Sequence, residues 1–260
     1  MRLYVETSIC DERGVRFFSE TADWLLEEGA QVHVELADHL DPDPLAGCAI
    51  HKSKAAWEQT WAHRPRMVAA QDDFDLFIYL EADIRFLPEN LAYFEVATGM
   101  IADPARVPHF IRYEAMEDGR GYLVDSQATG VDGNLGRVDD EFFLYRPEHC
   151  GMFAVSQASL KLAIKNGWGY AWEDVDHTKA LAYGGIGETA ASEIYLCGLC
   201  PVIHKNLVPM AFVEHKTGNY WRSHHSGVNL RTVQGDGREG RNGLVRVYYR
   251  DTLERLIREM

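Results

Sequence analysis

Three features of this sequence predict an α/β fold built around a parallel sheet. Short apolar runs alternate with amphipathic ones through the first half, and one run, Leu76-Phe77-Ile78-Tyr79-Leu80, is apolar without interruption. No internal repeat or Pro/Ser-rich linker divides the 260 residues. Uninterrupted apolar strands belong to sheets covered on both faces, and alternating helices provide that cover through right-handed crossovers. A chain of this length makes one large domain or two small ones, and we read it as a single mixed domain.

The elements follow in order. Leu3-Tyr4-Val5 reads as a strand, Thr21 to Glu28 as a helix ended by Gly29, and Val32 to Leu36 as a second strand. A long helix is expected from about Ser53 to Gln71, before the apolar strand at 76–80. In the second half, Phe110 to Tyr113 and Phe142 to Tyr145 read as strands. Between them, the Gly- and Asp-rich stretch from Glu117 to Asp140 suits hairpins and loops. Met152 to Val155 is a further strand, leading into a helix from about Ser159 to Asn166. A helix from Thr189 to Leu199, a strand from Pro201 to His204 and a short strand Ala211-Phe212-Val213 follow.

Composition excludes several classes. With 46% apolar and 25% charged residues the chain is an ordinary globular one. A formal net charge of −14 argues against nucleic acid, since phosphate neutralisation needs the opposite sign, and against an anionic membrane surface. The longest strongly apolar stretch, roughly Ile194 to Ile203, is about half of what a bilayer span requires. An acid, Glu6, interrupts the N-terminus before a signal-peptide core forms, so a cytoplasmic location is expected. Five widely spread cysteines (Cys10, Cys48, Cys150, Cys197, Cys200) point to reduced thiols. Charge is uneven: residues 204–260 carry ten bases against six acids, a net of +4, which leaves −18 on the rest. Such a basic segment folds onto something anionic, either a ligand or the acidic body of its own domain.

The segment richest in chemistry joins the apolar strand to Glu81-Ala82-Asp83. Open α/β sheets bind ligands at the carboxyl ends of their strands. Two carboxylates there suit a hard cation, Mn²⁺ or Mg²⁺, held together with substrate phosphate oxygens. The plain alternative is a strand-end turn whose acids face water. Cys197-Gly198-Leu199-Cys200 is a CxxC at a predicted helix end, where packing thiols fit better than a redox pair. Gly184-Gly185-Ile186-Gly187 fits no dinucleotide or P-loop fingerprint.

Leu80-Glu81-Ala82-Asp83-Ile84 resembles the DXD-like motif of GT-A type glycosyltransferases, with Ala82 departing at the middle position. Trp61-Ala62-His63-Arg64, Ile111-Arg112-Tyr113-Glu114, Cys150-Gly151-Met152-Phe153 and Glu214-His215-Lys216-Thr217-Gly218-Asn219-Tyr220 follow the pattern of an uncharacterised subgroup, over residues 60–221. The resemblance implies a Rossmann-type mixed sheet flanked by helices in a single GT-A-like domain. Residues of about 1–100 would bind the nucleotide-sugar, about 101–221 would face the acceptor, and 222–260 form the basic C-terminal segment.

It also implies a UDP- or GDP-sugar donor and an unknown acceptor such as a glycan. Glu81 and Asp83 would hold the metal, and His215 would complete it, with His224 and His225 as alternatives. Lys216, Arg222 and Lys205 would neutralise the departing diphosphate. An inverting transfer needs a carboxylate base, for which Glu188, Asp174 and Glu193 are the candidates; Glu188 equally suits a helix N-terminus through the dipole. Trp168, Tyr170 and Trp172 would stack on a sugar or pack in the core. Two rivals remain: an inactive binding module of the same fold, which Ala82 favours, and a metal-dependent hydrolase.

Overall fold

The computed structural model describes residues 1–54, 57–117, 119, 121–123, 135–145, 151–179, 181, 185–217, 237–240, 243–246, 250, 254–255 and 257. The first half is β1 (Leu3–Ile9), α1 (Glu12–Glu27), β2 (Gln31–Ala37), β3 (Ala49–Ser53), α2 (His63–Ala70) and β4 (Leu76–Glu81). These strands form a sheet ordered β3-β2-β1-β4, all parallel, and a later antiparallel strand at Met152–Ser156 pairs with β4 at its edge. From β1 the chain winds to β2 and β3 on one side and then crosses to β4 on the other. The sheet is thus a doubly wound, Rossmann-type one whose switch point lies between the carboxyl ends of β1 and β4.

Both faces of this sheet are covered, which explains its continuous apolar strands. Leu3, Val5, Leu76, Ile78 and Leu80 pack with Val15, Phe18, Ala22 and Leu25 of α1. Phe77, Tyr79, Phe153 and Val155 face the opposite side with Met67 of α2. That side is polar where β1 meets β2: Glu6, fully buried, is held by Arg66 of α2 at 2.8 Å, and Arg66 also reaches Glu35 at 2.8 Å.

The second half adds β5 (Ile84–Arg85), α3 (Pro88–Met100), β6 (Arg106–Pro108), β7 (Ile111–Ala115), β8 (Gly121–Leu123), β9 (Leu135–Arg137) and β10 (Phe142–Tyr145). After β11 (Met152–Ser156) come α4 (Gln157–Lys165), α5 (Ile186–Ser192), β12 (Cys200–His204), β13 (Phe212–His215), β14 (Gly237–Gly240) and β15 (Gly243–Arg246). Two smaller mixed sheets result, ordered β6-β12-β10-β9 and β5-β13-β7-β8. Among the described residues no helix is long and apolar enough to cross a membrane.

The structure corrects several expected elements. The helix expected from Thr21 starts at Glu12, because the Asp11 carboxylate caps it by accepting from the Gly14 amide at 2.7 Å. The long helix expected over Ser53 to Gln71 is not formed: its first residue ends β3, and the described residues beyond hold a 3-10 turn at Trp57–Trp61 and then α2. Pro65 lacks an amide hydrogen and is tolerated only in a first turn, which sets the start of α2 at His63. The helix expected over Thr189 to Leu199 is displaced to Ile186–Ser192 and followed by a 3-10 turn. Helix α3, which the sequence reading missed, begins with Pro88, and Asn90 accepts from the Leu87 amide at 2.8 Å.

Helix α5 is held by a buried arginine. Arg64 of α2 is fully buried, with its guanidinium 3.7 Å over the Trp61 ring. It pairs with Glu193 at 2.6 Å and donates to the Thr189 and Ala190 carbonyls at 2.9 and 3.4 Å. These lie in the last turn of α5, and the Thr189 carbonyl also accepts from the Glu193 amide. Arg64→Met keeps much of the volume, removes the cation that answers Glu193, and takes one donor from each of the two carbonyls. Urea unfolding should show a loss of about 3–5 kcal/mol; a loss near zero would refute the clamp.

Candidate functional site

The carboxyl ends of β1 and β4 open on a cleft of about 310 Å³ at the switch point. Ser8 of β1 and Asp11, Arg13 and Phe17 around the start of α1 line it from one side of the chain. Trp57 reaches it because Gln59 fixes the 3-10 turn. The Gln59 amide donates to the carbonyls of Glu35 and Ile9 at 2.7 and 3.3 Å, and Ser8 donates to the Gln59 carbonyl at 3.1 Å. The Trp57 ring stays 71% exposed, which leaves its face available for stacking.

Glu81, Asp83, Arg112, Glu188 and His215 meet in the same cleft. Glu81 ends β4 and pairs with the buried Arg112 of β7 at 3.3 Å. Gly151, just ahead of β11, donates no side chain to this pair for a steric reason. A Cβ there would lie 2.7 Å from Arg112 Nη1 and 2.8 Å from Glu81 Oε2, and its φ is +62°. Asp83 sits where the chain leaves the large sheet for β5. The pairing of β13 with β5 sets His215 opposite Ile84, and the Lys216 amide donates to the Asp83 carbonyl at 2.8 Å. His215 Nε2 is then 3.1 Å from Asp83 Oδ2, and His215 Nδ1 is 2.8 Å from Glu114 Oε1. Burial alone would lower the His215 pKa, but hydrogen bonds to Asp83 and Glu114 outweigh it and push the value up to about 9.

Ala82 has a packing reason. It is 8% exposed, and a Cβ on Gly14 of α1 would stand 3.2 Å from the Ala82 Cβ. The middle residue of the motif thus supports the first turn of α1, while its neighbours at 81 and 83 carry the charge.

Among the described residues, no three His, Cys, Asp or Glu side chains converge to enclose a metal ion. Asp83 and His215 could offer such an ion two ligands; their 3.1 Å contact is a hydrogen bond as it stands, and a cation would take its place with release of the Nε2 proton. A carboxylate on the other ring nitrogen is the usual support of a metal-bound histidine, and Glu114 fills that place. Glu81 is turned onto Arg112.

The other expected site residues are placed apart from this group. Glu193 is bound by Arg64 and accepts from the Tyr170 hydroxyl at 2.7 Å, and it lines a second depression together with Asp174. Lys205, beyond β12, donates to the Asp140 carbonyl. The Lys216 ammonium lies 3.5 Å from Glu214, while its backbone amide donates to the Asp83 carbonyl. Arg222, His224, His225, Cys150 and Gly184 lie outside the described residues. Trp168 is core, and Tyr170 and Trp172 pack around Trp61. Burial pushes the Cys197 pKa up, away from a reactive thiolate. Arg13, Arg112, Glu114 and Trp57 were given no role by the sequence. A strand reading Arg112-x-Glu114 was the available signal, since alternate residues share one face.

Two outcomes follow from this geometry. Gly151→Ala should destabilise the fold by about 1–3 kcal/mol, read by thermal or urea unfolding, because a β-carbon at positive φ also strikes the Glu81–Arg112 pair. His215 has its pKa raised on folding, so its contribution is complete below the unfolded value of 6.5 and fades as pH rises through about 9. The unfolding free energy should therefore fall by up to about 3 kcal/mol across that window, and His215→Gln should remove this step from the pH profile.

No protein-family model and no curated protein matches this chain. Among solved structures it is similar to a glycosyltransferase involved in the glycosylation of the major capsid of PBCV-1 (13% identity, TM-score 0.27). That likeness covers 45% of this chain and 53% of the other, so the chain spans about half the length of that enzyme. It is also similar to A197 from STIV, with 10% identity and a TM-score of 0.37 over 95% of this chain and 94% of that one. At such identities and scores neither likeness assigns a function.

Proposed function

We propose that the chain is a glycosyltransferase that binds a UDP- or GDP-sugar in the cleft between β1 and β4 and passes the sugar to an acceptor hydroxyl, such as that of a glycan. One observation carries this reading: the Asp83–His215 pair, Arg13, Arg112 and Glu188 line one cleft at the switch point. The residues are suited to an anionic donor with a leaving group of growing negative charge. Mn²⁺ or Mg²⁺ held by Asp83 and His215 would neutralise the diphosphate as it departs. Arg13 and Arg112 bring two guanidinium groups to the same cleft, where a diphosphate would compete with Asp11 and Glu81 for them. Trp57 and Phe17 offer aromatic faces to a base or a sugar ring. Glu188 would take the acceptor proton in an inverting transfer, and Lys216 is a further candidate for the diphosphate.

The reading does not lean on the second depression, where Glu193 is committed to Arg64. Nor does Ala82 favour an inactive module, because that position packs inward against Gly14. Calorimetric titration with UDP- and GDP-sugars, with and without Mn²⁺, should give metal-dependent heat for one nucleotide, lost in Asp83→Ala. Glu188→Gln should keep donor affinity and slow transfer by about 10²–10⁴-fold. Absence of heat for every donor, or undiminished binding in Asp83→Ala, would defeat the proposal.

A further inference from the structure

We infer that Glu114 is a positioning residue of the cleft, fixing His215 as the Nδ1–H tautomer so that Nε2 faces Asp83 and a divalent cation. The inference rests on the metal-bound donor reading above and deepens it. Glu114 is fully buried on β7, a place where a carboxylate is costly unless it is paired and hydrogen-bonded. Its Oε1 lies 2.8 Å from His215 Nδ1, and the Thr217 hydroxyl stands 3.0 Å from the same nitrogen. Nε2 points the other way, onto Asp83 Oδ2 at 3.1 Å, so a cation binding there would displace the Nε2 proton while Nδ1–H stays on Glu114.

The neighbouring geometry gives Glu114 a companion. Arg112, two residues earlier on β7, pairs with Glu81, so alternate side chains of one strand reach Glu81 directly and Asp83 through His215. Strand β7 thereby acts as the outer layer of the site: Arg112 holds Glu81, and Glu114 holds the histidine that faces Asp83. A carboxylate behind a ligating histidine raises its basicity and locks its ring, and loss of such a partner typically costs 10–100-fold in metal affinity.

Mn²⁺ binding, followed by loss of the free-ion paramagnetic resonance signal with UDP or GDP present, tests this in the full chain. Glu114→Leu removes the acceptor, and Glu114→Gln keeps an acceptor oxygen while removing the charge. Glu114→Leu should weaken Mn²⁺ by 10–100-fold, with Glu114→Gln recovering part of the loss. In wild-type protein loaded with Mg²⁺ and nucleoside diphosphate, the ¹⁵N spectrum of His215 should show Nδ1 protonated and Nε2 bare. Wild-type Mn²⁺ affinity in Glu114→Leu, alongside its loss in Asp83→Ala, overturns the positioning role and leaves the proposed function standing. No Mn²⁺ binding by wild type overturns both. Should Glu114→Leu fail to fold, the wild-type spectrum decides, and an Nε2–H tautomer refutes the inference.

Discussion

The Glu188 side of the cleft hangs on one buried guanidinium. Helix α5 is seven residues long, far too short to persist on its own. Its two ends are tied from outside: the Trp61 indole donates to the Ile186 carbonyl at 3.0 Å at the start, and Arg64 takes two carbonyls of the last turn. The stacking of Arg64 on Trp61 and its pairing with Glu193 offset the cost of removing the charge from water. Because Trp61 ends the same 3-10 turn that Trp57 begins, one structural unit places both the exposed ring and the acid of the cleft.

The same logic of compensated charge runs through the interior. Arg66 answers Glu6 and Glu35, Arg112 answers Glu81, and His215 lies between Asp83 and Glu114. The strongly acidic balance of the chain is thus met, inside the fold, by individual cations placed against individual carboxylates. The cleft follows the same rule, with Arg112 against Glu81 at 3.3 Å and Arg13 against Asp11 at 3.6 Å among its lining residues.

The core sheet was legible in the sequence because burial on both faces leaves a mark that needs no context, as in residues 76–80. Glu81 and Asp83 were legible for the same reason, since an acid after such a strand interrupts an obvious pattern. Strand β3 was hidden: it lies at the sheet edge, its side chains are mostly half-exposed, and its partner is β2. Helix α3 was hidden differently, because apolar residues occur on both its buried face, at Leu91 and Phe94, and its exposed one, at Val96 and Met100, which blurs the helical period. Arg112 and Glu114 acquire meaning only when β13 pairs with β7, about a hundred residues later, and no local pattern reports such a pairing. Ala82 reads as a missing acid in sequence, whereas in the fold it stands against Gly14 of α1.

The switch-point cleft is assembled from Ser8, Trp57, Glu81, Arg112, Glu188 and His215, which are spread over most of the chain. A molecule seated there would act as a tie between segments that share no covalent neighbour. Such a tie favours the fully assembled chain over every partly opened one, so its stabilising effect is global and grows with the logarithm of ligand concentration. Parallel pairing among distant segments is also slow to form, so the cleft should be among the last features of the chain to become competent as it folds.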